Sequence, residues 1–276
     1  MGIYDRDYYR SGPPRGGFGY FSFWSVTTWL IIINVSVFFL DGMLHRMVPH
    51  PPTPFDDYRY NPYDRMGPLE LWGYFSTAKA IYSAQVWRFI TFQFLHASPG
   101  HLFGNMIGLY FFGPIVEAHF GSRRYVAFYL LCGLAGAVSY LVLAATHVLG
   151  TMPPDVPLVG ASAGIFGLLV SAAIIAPDVQ IYIFVPIPIK VLAIFAMILA
   201  AYTVFALGPA GGNAGGEAAH LGGGVLGFLL MKNQHWLNVF AQRARAAMRG
   251  PARRPQALGR RPRRPAQKDW SKDFNR

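Results

Sequence analysis

Residues 217–232 read EAAHLGGGVLGFLLMK, an apolar run with a single imidazole, His220, in its first turn and Gly223, Gly224 and Gly227 at i+3, i+4 and i+7 from it. In a helix those positions share one face, and a glycine face inside an apolar surrounding lets a neighbouring helix approach backbone to backbone. Five further apolar stretches, roughly 24–44, 100–119, 124–148, 161–176 and 189–208, accompany it. A membrane-crossing helix needs about 20 such residues, because the hydrocarbon core is about 30 Å thick and a helix rises about 1.5 Å per residue. The pattern therefore predicts an all-α membrane protein, a six-transmembrane-helix bundle. The stretch at 161–176 is short and begins in a glycine-rich loop. Backbone exposed to lipid is costly, so its outer end is expected to be buried in protein or to meet water.

Composition agrees. Of 276 residues, 53% are hydrophobic and only 13% charged, which excludes an ordinary soluble domain. The formal charge of +11 is concentrated at one end: twelve of the 24 Lys and Arg lie beyond residue 240 against the two acids Asp269 and Asp273, a local net of +10. Tethered behind a hydrophobic bundle, such a tail is expected against the anionic headgroups of the lipid bilayer, not on nucleic acid. Arg6, Arg10 and Arg15 precede the first stretch, Arg123 and Arg124 separate the second from the third, and Lys232 follows the sixth. The positive-inside rule then makes both termini cytoplasmic. The division expected is a flexible cytoplasmic segment at 1–22, the helical domain at 23–235, and a basic, disordered cytoplasmic tail at 236–276. The N-terminus lacks the features of a cleaved secretory signal and is expected to be retained. The connection 45–99 falls outside; with a proline-rich 49–54, Asp56, Asp57, Asp64 and the pair Trp87-Arg88 it reads as a structured, partly embedded cap. Cys132 is the sole cysteine, so no intramolecular disulfide forms.

This topology brings three polar sites to one depth: His101 and Asn105 near the outer end of the second span, Ser162 at the start of the fourth, and His220 in the first turn of the sixth. Ionisable groups at bilayer depth are expensive and mark a functional interior. Ser162 sits in Gly160-Ala161-Ser162-Ala163-Gly164, where small neighbours allow close approach to an exposed hydroxyl. A serine becomes a nucleophile when a nearby base takes its proton; small residues with serine also serve as packing contacts between membrane helices. His220 fits that base, and it also fits a buried histidine bonded to a carbonyl. Gly160, Gly164 and Gly167 on the fourth span match the glycine face of His220 and favour contact. His101 and Asn105, four apart on one face, suit stabilisation of a developing oxyanion. His96 lies in the same HASPGHLFGN run, where hydrogen bonding to brace the loop is its simplest role. Zinc is the rival for these histidines, but no HExxH is present, His96 and His101 are five apart and no carboxylate lies beside them. An aspartyl mechanism needs two carboxylates within spans, and Asp41, Glu117, Asp178 and Glu217 fall at span ends. Glu217, three residues before His220, could orient it as a third member, yet from within one helical turn its carboxylate is expected to point to external water.

Taken together, the sequence resembles the rhomboid family of intramembrane serine proteases over about residues 20–235. Trp87-Arg88 is similar to the structural Trp-Arg pair of the family's first external loop, and His101 and Asn105 match its oxyanion positions, with His96 upstream. Gly160-Ala161-Ser162 matches the nucleophile motif, Phe166 the aromatic placed against the catalytic imidazole, and Ala219-His220 with Gly223 and Gly227 the AHxxGxxxG signature. One departure is Ala163, where the family usually has a second glycine. The resemblance implies hydrolysis of peptide bonds in or near the membrane-spanning segments of other proteins by a Ser162–His220 dyad, with no acidic third member, metal or other cofactor. The expectation for location is an integral protein of the bacterial inner membrane, and the positive-inside topology puts the active site on the non-cytoplasmic side. The alternative reading is a catalytically inactive rhomboid-like protein that binds membrane clients. A small transporter is a further reading, but that predicts ionisable groups in several broken helices, whereas here they gather at one face.

Overall fold

A computed structural model describes residues 24–47, 66–182 and 185–239. The α-helices that build the fold are α1 (Val26–Met47), α2 (Pro68–Gly73), α3 (Arg88–Thr91), α4 (Pro99–Phe120), α5 (Ser122–Ala145), α6 (Ser162–Ile175), α7 (Ile189–Tyr202) and α8 (Ala214–Lys232). A two-stranded antiparallel ribbon, β1 (Gln180–Tyr182) and β2 (Pro186–Pro188), joins α6 to α7. The expected segment 1–22, the proline-rich 49–54 with Asp56, Asp57 and Asp64, and the tail beyond 239 lie outside the described residues. Helix resumes over 235–239, where Leu237 is fully buried. The folded part therefore runs past the boundary expected at 235.

The helices show the reverse of a soluble pattern. In α1 the buried positions are Thr27, Leu30, Asn34 and Asp41, spaced by three, four and seven, while Ile33, Phe39, Leu40 and Met43 are exposed. A narrow seam carrying polar groups thus faces protein and the greasy remainder faces outward, as lipid contact requires. Helix α7 repeats this, burying Ile189, Ala193 and Ala200 and exposing Ile194, Phe195 and Ile198. Among the described residues three helical segments are long and apolar enough to cross a membrane: Val26–Met47, Ser122–Ala145 and Ile189–Gly211. The last continues α7 through a π-helix, Thr203–Leu207, and a 3-10 turn, Gly208–Gly211. Six spans were expected. Helix α6 is too short at 14 residues, and α4 and α8 carry the polar groups of the site.

Helix α6 is the hub. At about 1.5 Å per residue it is about 21 Å long, well short of a bilayer's hydrocarbon core, and it packs against α4, α5, α7 and α8. Gly167 of α6 meets Gly227 of α8, and Gly223 abuts the Ala163 carbonyl, so side chains at these glycines would collide with backbone. The expected pairing of glycines is not seen elsewhere: a Cβ on Gly164 would meet the Tyr129 ring of α5, and one on Gly160 would meet His101. The N-terminus of α1 is held by one carboxylate. Glu117 accepts bonds from the Val26 and Thr27 amides (2.8 and 2.9 Å), the Thr27 hydroxyl (2.8 Å) and the Ser122 hydroxyl (3.0 Å).

The described part of the connection between α1 and α4 is ordered, as expected of a cap. Asp41 accepts from the amides of Leu69 (2.7 Å) and Glu70 (3.2 Å), satisfying the first turn of α2. Arg88, 4% exposed, donates to the Gln85 side chain (2.6 Å) and to the carbonyls of Tyr74 and Leu71, while Trp87 stacks on Trp72. Phe75 exchanges both backbone hydrogen bonds with Leu158 (3.0 and 2.7 Å), and the Gly160 amide donates to the Phe92 carbonyl (2.9 Å). The cap is therefore stitched to the extended segment that leads into Ser162.

Candidate active site

Ser162 is the first residue of α6. Gly160, two residues earlier, has φ +130°, a conformation that residues with side chains rarely adopt, and a Cβ there would lie 2.8 Å from the His101 imidazole. The turn thus demands glycine on two grounds, and it points the chain so that the serine heads the helix. His220 approaches from α8 because Gly223 and Gly227 let that helix touch α6. Its Nε2 lies 2.7 Å from the Ser162 hydroxyl oxygen. The Phe166 ring, one turn along α6, stacks on the imidazole with centroids 4.1 Å apart and planes 8° from parallel, fixing its plane.

These groups open onto a pocket of about 600 Å³ whose walls include Ser162, His220, Phe166, His101, Asn105 and Tyr140. His101 and Asn105 reach it from the first turns of α4, a helix started by Ser98, whose hydroxyl accepts the His101 amide (3.2 Å), and by Pro99. The Asn105 amide nitrogen, buried and without a hydrogen-bond partner in the protein, sits near Gly160 just before the serine. A buried donor left open costs free energy, so a group that accepts from it at this point is favoured. The first-turn N–H groups of α6 also have no intrahelical acceptor and lie at the positive end of the helix dipole. The arrangement joins a hydroxyl, a base able to take its proton, and polar side chains in one pocket. That is the equipment for acyl transfer.

Two expectations need correction. His96 does not brace its loop through hydrogen bonds, since both ring nitrogens are buried without a partner. Its ring instead packs edge-on against His101, with centroids 5.1 Å apart. Burial, and next the neighbouring His101, push its pKa down to about 3, so it stays neutral. Glu217 does not point away to water: its carboxylate oxygen lies 2.9 Å from His220 Nδ1. Ala163, the one departure from the nucleophile motif, is 1% exposed and absent from the pocket wall. Among the described residues no three His, Cys, Asp or Glu come together as a metal would require. Sequence reasoning passed over Gly136, which receives Ala163, and Tyr140, which lines the pocket; a glycine or tyrosine inside an apolar helix carries no motif to flag it.

A family model described as the Rhomboid domain matches residues 83–234. RHOMBOID-like protein 12, mitochondrial, of Arabidopsis thaliana is 32% identical over 155 residues, 52% of this chain and 45% of that protein. RHOMBOID-like protein 4 of the same plant is 28% identical over 241 residues, 80% of this chain and 56% of that protein. A Bacillus subtilis (strain 168) protein, named provisionally as a rhomboid protease, is 38% identical over 82 residues, 30% of this chain and 37% of that protein. The chain thus spans little more than half the length of these curated relatives at most.

Proposed function

Because the chain belongs to the rhomboid family, we propose that it is an intramembrane serine endopeptidase that cuts other membrane proteins in or beside their spanning segments. The observation that carries this reading is the 2.7 Å contact between the Ser162 hydroxyl and His220 Nε2, made in a pocket shared with His101 and Asn105. His220 takes the serine proton as Oγ attacks the scissile carbonyl, and the resulting oxyanion is met by His101, Asn105 and the Ser162 N–H. His220 then returns the proton to the leaving amine. Water hydrolyses the acyl-enzyme through the same base. Six helices, α1, α4, α5, α6, α7 and α8, are proposed to cross the bilayer with both termini cytoplasmic. The shortness of α6 relative to the hydrocarbon core supports a pocket set below the non-cytoplasmic surface, where water enters from outside. The protein's location is proposed as a bacterial inner membrane; of the relatives named above one is bacterial and one is mitochondrial by name.

Such a pocket receives an extended peptide, so substrates need a segment that unwinds readily, with a small side chain beside the cut. The test is a fluorophosphonate probe on the purified protein in detergent, paired with a reporter transmembrane segment. Labelling and cleavage by wild type but not by Ser162→Ala support the reading. A folded wild type that neither labels nor cleaves overturns it and leaves a rhomboid-like protein that binds clients without cutting them.

A further inference from the structure

We infer that Glu217 is a positioning residue for His220, so that the site works as a Ser162–His220–Glu217 relay and not as a bare pair; this rests on the protease reading above. The two nitrogens of the imidazole are engaged on opposite sides: Nε2 by the Ser162 hydroxyl at 2.7 Å and Nδ1 by the Glu217 carboxylate at 2.9 Å. A carboxylate only accepts, so the proton on that side resides on Nδ1, and the Nε2 lone pair is left facing the serine. When Nε2 takes the serine proton, the imidazolium that forms lies against a negative charge already in place, which lowers the cost of forming it.

The geometry follows from the helix. Glu217 and His220 are three apart and lie on one face of the first turns of α8, while the Phe166 stack fixes the ring plane so that its Nδ1 edge is turned toward Glu217. The His220 side chain is 14% exposed and that of Glu217 is 23% exposed. The carboxylate is thus partly shielded and keeps some solvent access. A purely structural role is the rival explanation, since an acid in the first turn of a helix also favours the helix dipole.

The two roles separate in the rate at which folded protein reacts with a fluorophosphonate. In that step the Ser162 Oγ–phosphorus bond forms, fluoride leaves and the serine proton passes to His220 Nε2. Glu217→Ala is expected to lower the second-order rate constant on the order of 10- to 100-fold. Glu217→Gln, similar in size but uncharged, is expected to lie between it and wild type. In protein carrying ¹⁵N-labelled histidine, the His220 resonances are expected to show the proton on Nδ1 in wild type and a mixture of tautomers in Glu217→Ala. A helix-dipole role alone predicts lower thermal stability with an unchanged rate constant per folded molecule. Labelling of Glu217→Ala within about twofold of wild type overturns the inference, and if that variant fails to fold, Glu217→Gln reacting at the wild-type rate does so. A wild type that does not label at all overturns the protease reading instead.

Discussion

The methyl group of Ala163 occupies the space that Gly136 of α5 leaves open: a Cβ on Gly136 would lie 2.5 Å from the Ala163 Cβ and 2.8 Å from the Ala219 carbonyl oxygen. The residue that departs from the usual nucleophile motif is thus turned into the α5–α6–α8 junction, away from the pocket. Gly136→Ala is expected to destabilise the protein by about 1–3 kcal/mol through overpacking and to slow Ser162 labelling, because the junction holds both Ser162 and His220. Adding Ala163→Gly should recover part of the loss, the contact with the Ala219 carbonyl remaining. Thermal unfolding of the two single variants and the double variant yields the coupling. Strict additivity would contradict the contact.

Asn105 is expected to matter for chemistry and hardly at all for folding. Its amide nitrogen has no partner to lose in the resting protein, so Asn105→Ala should change stability by less than about 1 kcal/mol. Cleavage of a reporter segment should fall roughly 100-fold in kcat with KM little changed, the signature of a donor engaged only in the transition state. A fall confined to KM would assign Asn105 to substrate binding instead.

Arg88 should behave in the opposite way. Removing it takes a donor from the buried Tyr74 carbonyl, the part-buried Leu71 carbonyl and the Gln85 side chain. Arg88→Ala is therefore expected to cost about 2–4 kcal/mol. Arg88→Lys should restore only part of this, since a single ammonium cannot copy a planar fork bonded in three directions. Unfolding midpoints in detergent compare the three proteins, and equal midpoints for wild type and Arg88→Ala would contradict the cap's dependence on this side chain.

Much of this was legible in the chain because membrane helices and their polar exceptions announce themselves. The six apolar stretches agree with α1 and α4 to α8 to within a few residues, and the juxtaposition of Ser162 and His220 followed from glycines that only close packing explains. What the sequence hid were matters of direction. A carboxylate three residues before an imidazole can point to water or to the ring, and spacing alone does not choose; the Phe166 stack and the Ser162 contact set the ring orientation that brings Nδ1 to Glu217. Likewise a run of glycines says that something comes close, not what. Gly164 meets a tyrosine ring and Gly160 an imidazole, contacts that arise from a third and fourth helix.

The cap carries a pH dependence of definite sign. Glu70 of α2 is pushed up to about 7, first by burial and then by the negative charge of Asp41, the residue that accepts its backbone amide. Its ordinary value, which the unfolded chain shows, is 4.5. The folded state therefore binds the proton more tightly than the unfolded one. That stabilising contribution is complete below about pH 4.5 and is lost progressively as the pH rises through about 7, above which it is flat. Glu70→Gln mimics the protonated form at every pH, so its unfolding midpoint should exceed that of wild type at pH 8 and converge with it near pH 4.5. Because Phe75, two residues beyond α2, is bonded to Leu158 on the extended segment leading to Ser162, looser anchoring of α2 should also slow Ser162 labelling in wild type more than in the variant as the pH is raised from 6 to 8. Parallel stability profiles for the two proteins across that range would remove Glu70 as the cause.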